Sequence, residues 1–211
     1  MENCIKEYHG CWPTMNTPFT ENNTVDFDAI KKLVEWYIAH GADGIFAVCQ
    51  SSEMFFLSKQ EKLDIAKAVV DANAGRIKVI ASGHTADDHA EQIDELGAMA
   101  KTGVDAVVLV ANRMAKQNEG ADVFNKNAED IFRQLSGVTL GLYECPYPYL
   151  RLLTDDFLAD CARTGKLVFL KDVSCSNETE ARRVKLTAGT KLALFNANTS
   201  TLLDSLIAGY D

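Results

Sequence analysis

Lys171 is the residue whose type and neighbours point most directly to chemistry. It directly follows the apolar run Leu167-Val168-Phe169-Leu170. An amine at the end of a buried strand loses solvation, which disfavours the ammonium and frees the lone pair to attack a carbonyl. The same position also suits a lysine that snorkels to the rim or pairs with the adjacent Asp172. Tyr143 closes the preceding apolar run at the same level, so the two side chains can share one pocket. A phenol there can relay protons to a carbinolamine and to a reacting oxygen. It can equally be a core aromatic whose hydroxyl is tied to the backbone. The other polar residues that end apolar runs are Thr17, Ser51, Ser52, His84, Asn112, Arg113, Asn196 and Asn198. Within Cys49-Gln50-Ser51-Ser52-Glu53 the hydroxyls and amides can hold a carboxylate or phosphate, or serve as ordinary loop caps. His84 is assigned no role.

The elements that must position these groups alternate short apolar runs with longer segments of helical period, the pattern of repeated βα units around a parallel sheet. Phe27, Ile30, Leu33, Val34, Tyr37 and Ile38 fall on one helical face, with Asp26 as N-cap and Gly41 past the end. Ser58 with Glu61 three residues on is a capping box opening a helix through about Asn73. Strands are expected near residues 11–15, 44–48, 79–81, 106–110, 139–143, 167–170 and 192–195, parallel and adjacent in that order. Helices are expected at about 86–101, 119–135, 154–163, 177–187 and 199–208. Near-continuous apolar strands imply burial on both faces, as in a barrel or a doubly wound sheet. The Gly-x-Gly-x-x-Gly turn of dinucleotide-binding sheets is absent after the first strand. In a barrel the active site lies at the carboxyl ends of the strands, where all the polar residues named above fall.

With 211 residues the chain can bury one full core, and no linker or low-complexity tract divides it. A net charge of -9 without any basic cluster argues against nucleic acid as a partner. No apolar run approaches the roughly 18 residues of a membrane span, and the first ten residues lack a signal-peptide layout, so the expected compartment is the cytoplasm. Cys4, Cys11, Cys49, Cys145, Cys161 and Cys175 show no zinc-type spacing and read as free thiols. A catalytic thiolate at Cys49 or Cys145 is the minor reading, because free cysteine usually behaves as a small buried hydrophobe.

Five motifs then fall in one register. They are Thr17-Pro18-Phe19, the Ser51-Ser52-Glu53 run, Leu57-Ser58 with Glu61, Tyr143 with Pro146, and Lys171-Asp172. In order and spacing they resemble the dihydrodipicolinate synthase / N-acetylneuraminate lyase family of class I aldolases, which has GTTGE, L-S-x-x-E, Y-N-x-P and a K-D or K-E pair, and the resemblance runs from about residue 10 to the last. It implies a (β/α)8 TIM barrel with Lys171 as the Schiff-base lysine and Tyr143 as the proton shuttle. It further implies that Ser51 and the amide of Ser52 cradle the carboxylate of a 2-oxo acid, usually pyruvate, with Thr17 and Asn196 lining the same substrate site. No metal or organic cofactor is implied; the implied partners are a 2-oxo acid, an aldehyde and further copies of the chain, as a dimer or tetramer.

The departures fall on groups that handle the second substrate. Asn112 and Arg113 stand where dihydrodipicolinate synthases carry Y-Y-N, and Pro148 stands where they place an arginine. Gln50 and Ser52 replace a threonine and a glycine of GTTGE. Schiff-base chemistry with an acceptor other than aspartate semialdehyde is therefore the expectation. The family runs to nearly 300 residues, so the chain is also expected to be a single, C-terminally incomplete barrel domain lacking the eighth βα unit. The competing reading is a non-catalytic or regulatory carboxylate-binding relative, from which borohydride trapping of pyruvate distinguishes an aldolase.

Overall fold

The structure, a computed structural model, describes residues 6–211; the expectation of a free thiol at Cys4 lies outside them. It has an α/β fold with six parallel strands among those residues. Two compact units divide the chain, Gly10–Val108 and residues 6–9 with Leu109–Asp211.

The N-terminal unit holds α1 (Phe27–Ala39), β1 (Gly44–Val48), α2 (Lys59–Asn73), β2 (Lys78–Ala81), α3 (His89–Ala100) and the first part of β3 (Ala106–Val110). Asp26 caps α1 by accepting from the Ala29 N–H at 2.9 Å. Ser58 and Glu61 close the expected capping box on α2, with the Ser58 N–H donating to the Glu61 carboxylate at 2.8 Å and the Glu61 N–H to the Ser58 hydroxyl at 3.2 Å. Strands β1, β2 and β3 pair side by side in parallel, and every residue of β1 and β3 is buried.

The strand expected near residues 11–15 is reduced to a single parallel bridge between Thr14 and Phe46. Its rung is complete, with the Phe46 N–H on the Pro13 carbonyl and the Met15 N–H on the Phe46 carbonyl, both at 3.0 Å. The next rung toward the N-terminus would need an N–H on residue 13, and proline has none. Trp12 nevertheless packs on this edge, its ring so close to Gly44 that a Cβ there would meet it at 2.2 Å.

The C-terminal unit holds the end of β3, a 3-10 turn at Ala111–Arg113, α4 (Ala121–Gln134), β4 (Leu140–Tyr143), α5 (Asp155–Thr164), β5 (Phe169–Asp172), α6 (Asn177–Thr187), β6 (Ala193–Asn196) and α7 (Leu202–Ala208). Strands β4, β5 and β6 are parallel neighbours. Here β5 begins two residues later than its apolar run and carries Lys171 inside the strand rather than beyond it. The ladder runs on because the Asp172 carboxylate is neutralised in the interior by Arg183, 2.6 Å away. Gly141 is required opposite Phe169, whose ring would stand 2.0 Å from a Cβ at 141, and Tyr8 packs on the same ring at a centroid distance of 5.3 Å. No helix among the described residues is long and apolar enough to cross a membrane.

Candidate active site

Side chains alternate between the two faces of a strand, and residues in register on neighbouring strands share a face. Tyr143 on β4 is in register with Lys171 on β5, and Lys171 with Phe195 on β6. One face of the C-terminal unit thus presents a phenol beside an amine. The Lys171 Nζ lies over the Tyr143 ring, 4.3 Å from its centroid, within the range at which a ring face attracts an ammonium. Tyr143 is buried and Lys171 partly buried.

The residues one step on, Glu144 and Asp172, turn to the opposite face and meet α6. There Arg183 forms a bidentate pair with Glu144, at 2.6 and 2.9 Å, and reaches Asp172 at 2.6 Å. All three are at most 1% exposed. Tyr210 donates its hydroxyl to Asp172 at 2.5 Å, and the Ser174 N–H adds a bond of 2.6 Å. Burial pushes the Asp172 carboxyl upward, but Arg183, Tyr210 and Ser174 outweigh it and hold it below the usual aspartate value. For Glu144 burial prevails over Arg183 and the Leu153 N–H, leaving it above the usual glutamate value. Removing one partner of such a buried pair typically costs about 3–5 kcal/mol. Asp172 thus has a cation in Arg183, on the face opposite the one that Lys171 shares with Tyr143. Sequence reasoning missed this cluster, although an acid after each of two buried strands already calls for an interior cation.

Asn196 shares the face of Asp172, with which it is in register, and not that of Lys171. Its amide nitrogen lies within hydrogen-bond distance of Glu180 at 3.1 Å, Thr201 at 2.9 Å and Ser205 at 3.0 Å, so it ties β6 to α6 and α7. Asn112 is also committed to the scaffold. Its buried amide nitrogen faces the carbonyls of Cys145, Tyr147 and Tyr149 at 2.6 to 2.9 Å and pins the loop after β4.

In the N-terminal unit Thr17 donates to the Ser52 carbonyl at 2.7 Å. Ser52 is fully buried, its hydroxyl lying 2.6 Å from the Met15 carbonyl and 2.9 Å from that of Ala47 while accepting from the Cys49 N–H at 3.1 Å. The Ser52 N–H donates to the Cys49 carbonyl at 3.2 Å, closing the turn after β1. Thr17 and Ser52 therefore brace that turn, whereas Ser51 is exposed. Glu53 takes a left-handed φ of 63° within the same turn. Among the described residues the five cysteines are free; Cys49 and Cys145 are buried, and burial pushes the Cys161 thiol up to about 12. His84 is buried against Gln92 at 3.0 Å.

The sequence profile of the Dihydrodipicolinate synthetase family matches residues 7–211. The chain belongs to this family. Among its relatives in the dihydrodipicolinate synthetase family is an uncharacterized DapA-like lyase of Rhizobium meliloti, 29% identical over 172 residues, or 80% of this chain and 54% of the relative. A 4-hydroxy-tetrahydrodipicolinate synthase of Jannaschia sp. is 25% identical over 196 residues, 93% of this chain and 65% of the relative. The chain thus spans between about half and two thirds of the length of these two relatives. A crystal structure of the chloride-inhibited dihydrodipicolinate synthase from Acinetobacter baumannii complexed with pyruvate superimposes with a TM-score of 0.86 at 25% identity, covering 96% of this chain and 68% of that one. A dihydrodipicolinate synthase structure from Aquifex aeolicus matches with a TM-score of 0.86 at 20% identity, over 96% and 68%. At that identity the second likeness shows the fold alone.

Proposed function

We propose that the chain carries class I aldolase-type lyase chemistry on pyruvate or a related 2-oxo acid. The observation that carries this reading is the Lys171 amine resting 4.3 Å from the Tyr143 ring centroid, on in-register positions of adjacent strands. The amine attacks the keto carbon, forming a C–N bond as the carbonyl oxygen takes a proton. The carbinolamine then expels water to give a protonated imine. That cation is an electron sink, so the adjacent carbon loses a proton, or a carbon fragment, and becomes an enamine. The enamine adds to an aldehyde, and hydrolysis of the resulting imine regenerates the amine. Tyr143, beside the amine, hands protons to and from the carbinolamine oxygen. Family membership and the pyruvate named in the Acinetobacter baumannii complex support this assignment.

The acceptor is an aldehyde other than aspartate semialdehyde. Asn112 is spent on three loop carbonyls, and Pro148 offers no cation to a second substrate's carboxylate. Borohydride added with pyruvate should leave a stable mass increment on the Lys171 peptide, and Lys171→Ala should remove it entirely. An adduct that persists in Lys171→Ala would end the reading. With the adduct in hand, efficient condensation of pyruvate with aspartate semialdehyde would overturn the acceptor assignment alone.

A further inference from the structure

We propose that Arg183 is a positioning residue for the Tyr143–Lys171 pair, holding the carboxyl ends of β4 and β5 in register through Glu144 and Asp172. This rests on the Schiff-base reading above. Each acid is one peptide away from a reacting side chain, so a shift of either carboxylate moves the Cα that carries the phenol or the amine. The tie is drawn twice. The Glu144 N–H donates to the Lys171 carbonyl at 3.2 Å. On the opposite face the Glu144 carboxylate accepts from the Val173 N–H, just past β5, at 3.2 Å, and from the Leu153 N–H at 2.8 Å.

Arg183 is what allows two carboxylates to share that space. Its guanidinium spans both acids in a fixed planar fork, a geometry an ammonium cannot reproduce. Without it the two buried anions would repel, and the strand ends that bear Tyr143 and Lys171 would part. Reaction rates are sensitive to such shifts, since misplacing a reacting group by about 1 Å can cost about 10²-fold. Tyr210 holds Asp172, while the Arg183 guanidinium bonds both acids, so the link between the two carboxylates runs through Arg183.

The test compares wild type with Arg183→Lys and with the paired change Glu144→Gln/Arg183→Met, which removes one charge of each sign and so avoids stranding an extra anion. Folded protein is isolated by size exclusion and checked by far-ultraviolet circular dichroism. The rate of borohydride-trapped imine formation on Lys171 is then measured against pyruvate concentration. Loss of positioning lowers the rate at saturation by about 10²-fold in the paired variant and leaves the half-saturating concentration unchanged. Arg183→Lys, which keeps the charge and loses the fork, recovers part of that rate. A folded paired variant with the wild-type rate would reduce Arg183 to a structural role and overturn the proposal. If the paired variant does not fold, a wild-type rate in Arg183→Lys overturns it instead. Wild-type protein that traps no 2-oxo acid sinks the Schiff-base reading and this inference with it, an outcome distinct from trapping that is indifferent to residue 183.

Discussion

At the scale of single residues, the decisive pair is made by strand register rather than by any local motif. Lys171 and Tyr143 are 28 positions apart in sequence, yet the parallel pairing of β4 and β5 sets them side by side on one face. Under the proposed Schiff-base chemistry the two side chains divide the work, the amine forming the covalent bond and the phenol moving protons. Tyr143→Phe keeps the ring on which the Lys171 amine rests and deletes the hydroxyl. It should still trap pyruvate on Lys171, but about 10² to 10⁴ times more slowly, the usual cost of losing one proton-transfer group. Stopped-time borohydride quenching of both proteins at saturating pyruvate measures this, and an unchanged rate would remove Tyr143 from the relay.

At the scale of elements, the helices are held by local devices and the strands by distant ones. Helix α2 starts where Ser58 and Glu61 satisfy each other's backbone groups. Helix α5 starts where Thr154 accepts from the Phe157 N–H at 3.3 Å. Ser58→Ala removes one half of the capping box and should cost about 1 kcal/mol. For a chain of this length that corresponds to a melting midpoint lower by about 2–4 °C, to be read by calorimetry. A midpoint equal to wild type would mean that the N-terminus of α2 is held by its packing alone. Strands depend instead on neighbours far along the chain, as Gly141 shows by being glycine only because Phe169 needs the space.

At the scale of the whole molecule, buried acids set how stability responds to pH, and they act with opposite signs. Glu95, which is partly buried, is held by Lys62 at 3.0 Å and by the Thr85 and Ala86 N–H groups at 2.8 and 2.9 Å. Burial raises its carboxyl, but those partners prevail and place it below 4.5, the ordinary glutamate value. A depressed carboxyl contributes stability that is present above its unfolded value and is lost as pH falls through its folded value. Asp172 behaves likewise below 3.8. Glu144, raised above 4.5, acts oppositely: as pH falls through its raised value the folded state takes up a proton that the unfolded state does not, and stability rises. Glu95→Gln should therefore melt below wild type at neutral pH, with the gap closing as pH drops beneath 4.5. Thermal scans of both proteins across that interval check it, and a gap independent of pH would show that Glu95 is not held as a charged group.

The sequence by itself determined where the elements lie, because helix caps and apolar runs act within a few residues of one another. Asp26 and Ser58 cap the helices that their spacing predicts, and six of the seven expected strands form within two residues of their predicted limits. The seventh shrinks to one bridge because Pro13 lacks a donor. The pairing of Lys171 with Tyr143 at one level was also legible, since both end apolar runs. Only the tertiary structure decided which way the polar residues at the strand ends face. Alternation has no absolute phase in a strand buried on both sides, so Asn196 and Lys171 read alike in sequence yet lie on opposite faces. The same blindness hid Arg183, a helix arginine that looks like surface until two strands bring Glu144 and Asp172 against it. It also concealed that the Ser52 hydroxyl serves the turn after β1, because a hydroxyl's partners are carbonyls whose positions exist only once the chain has folded.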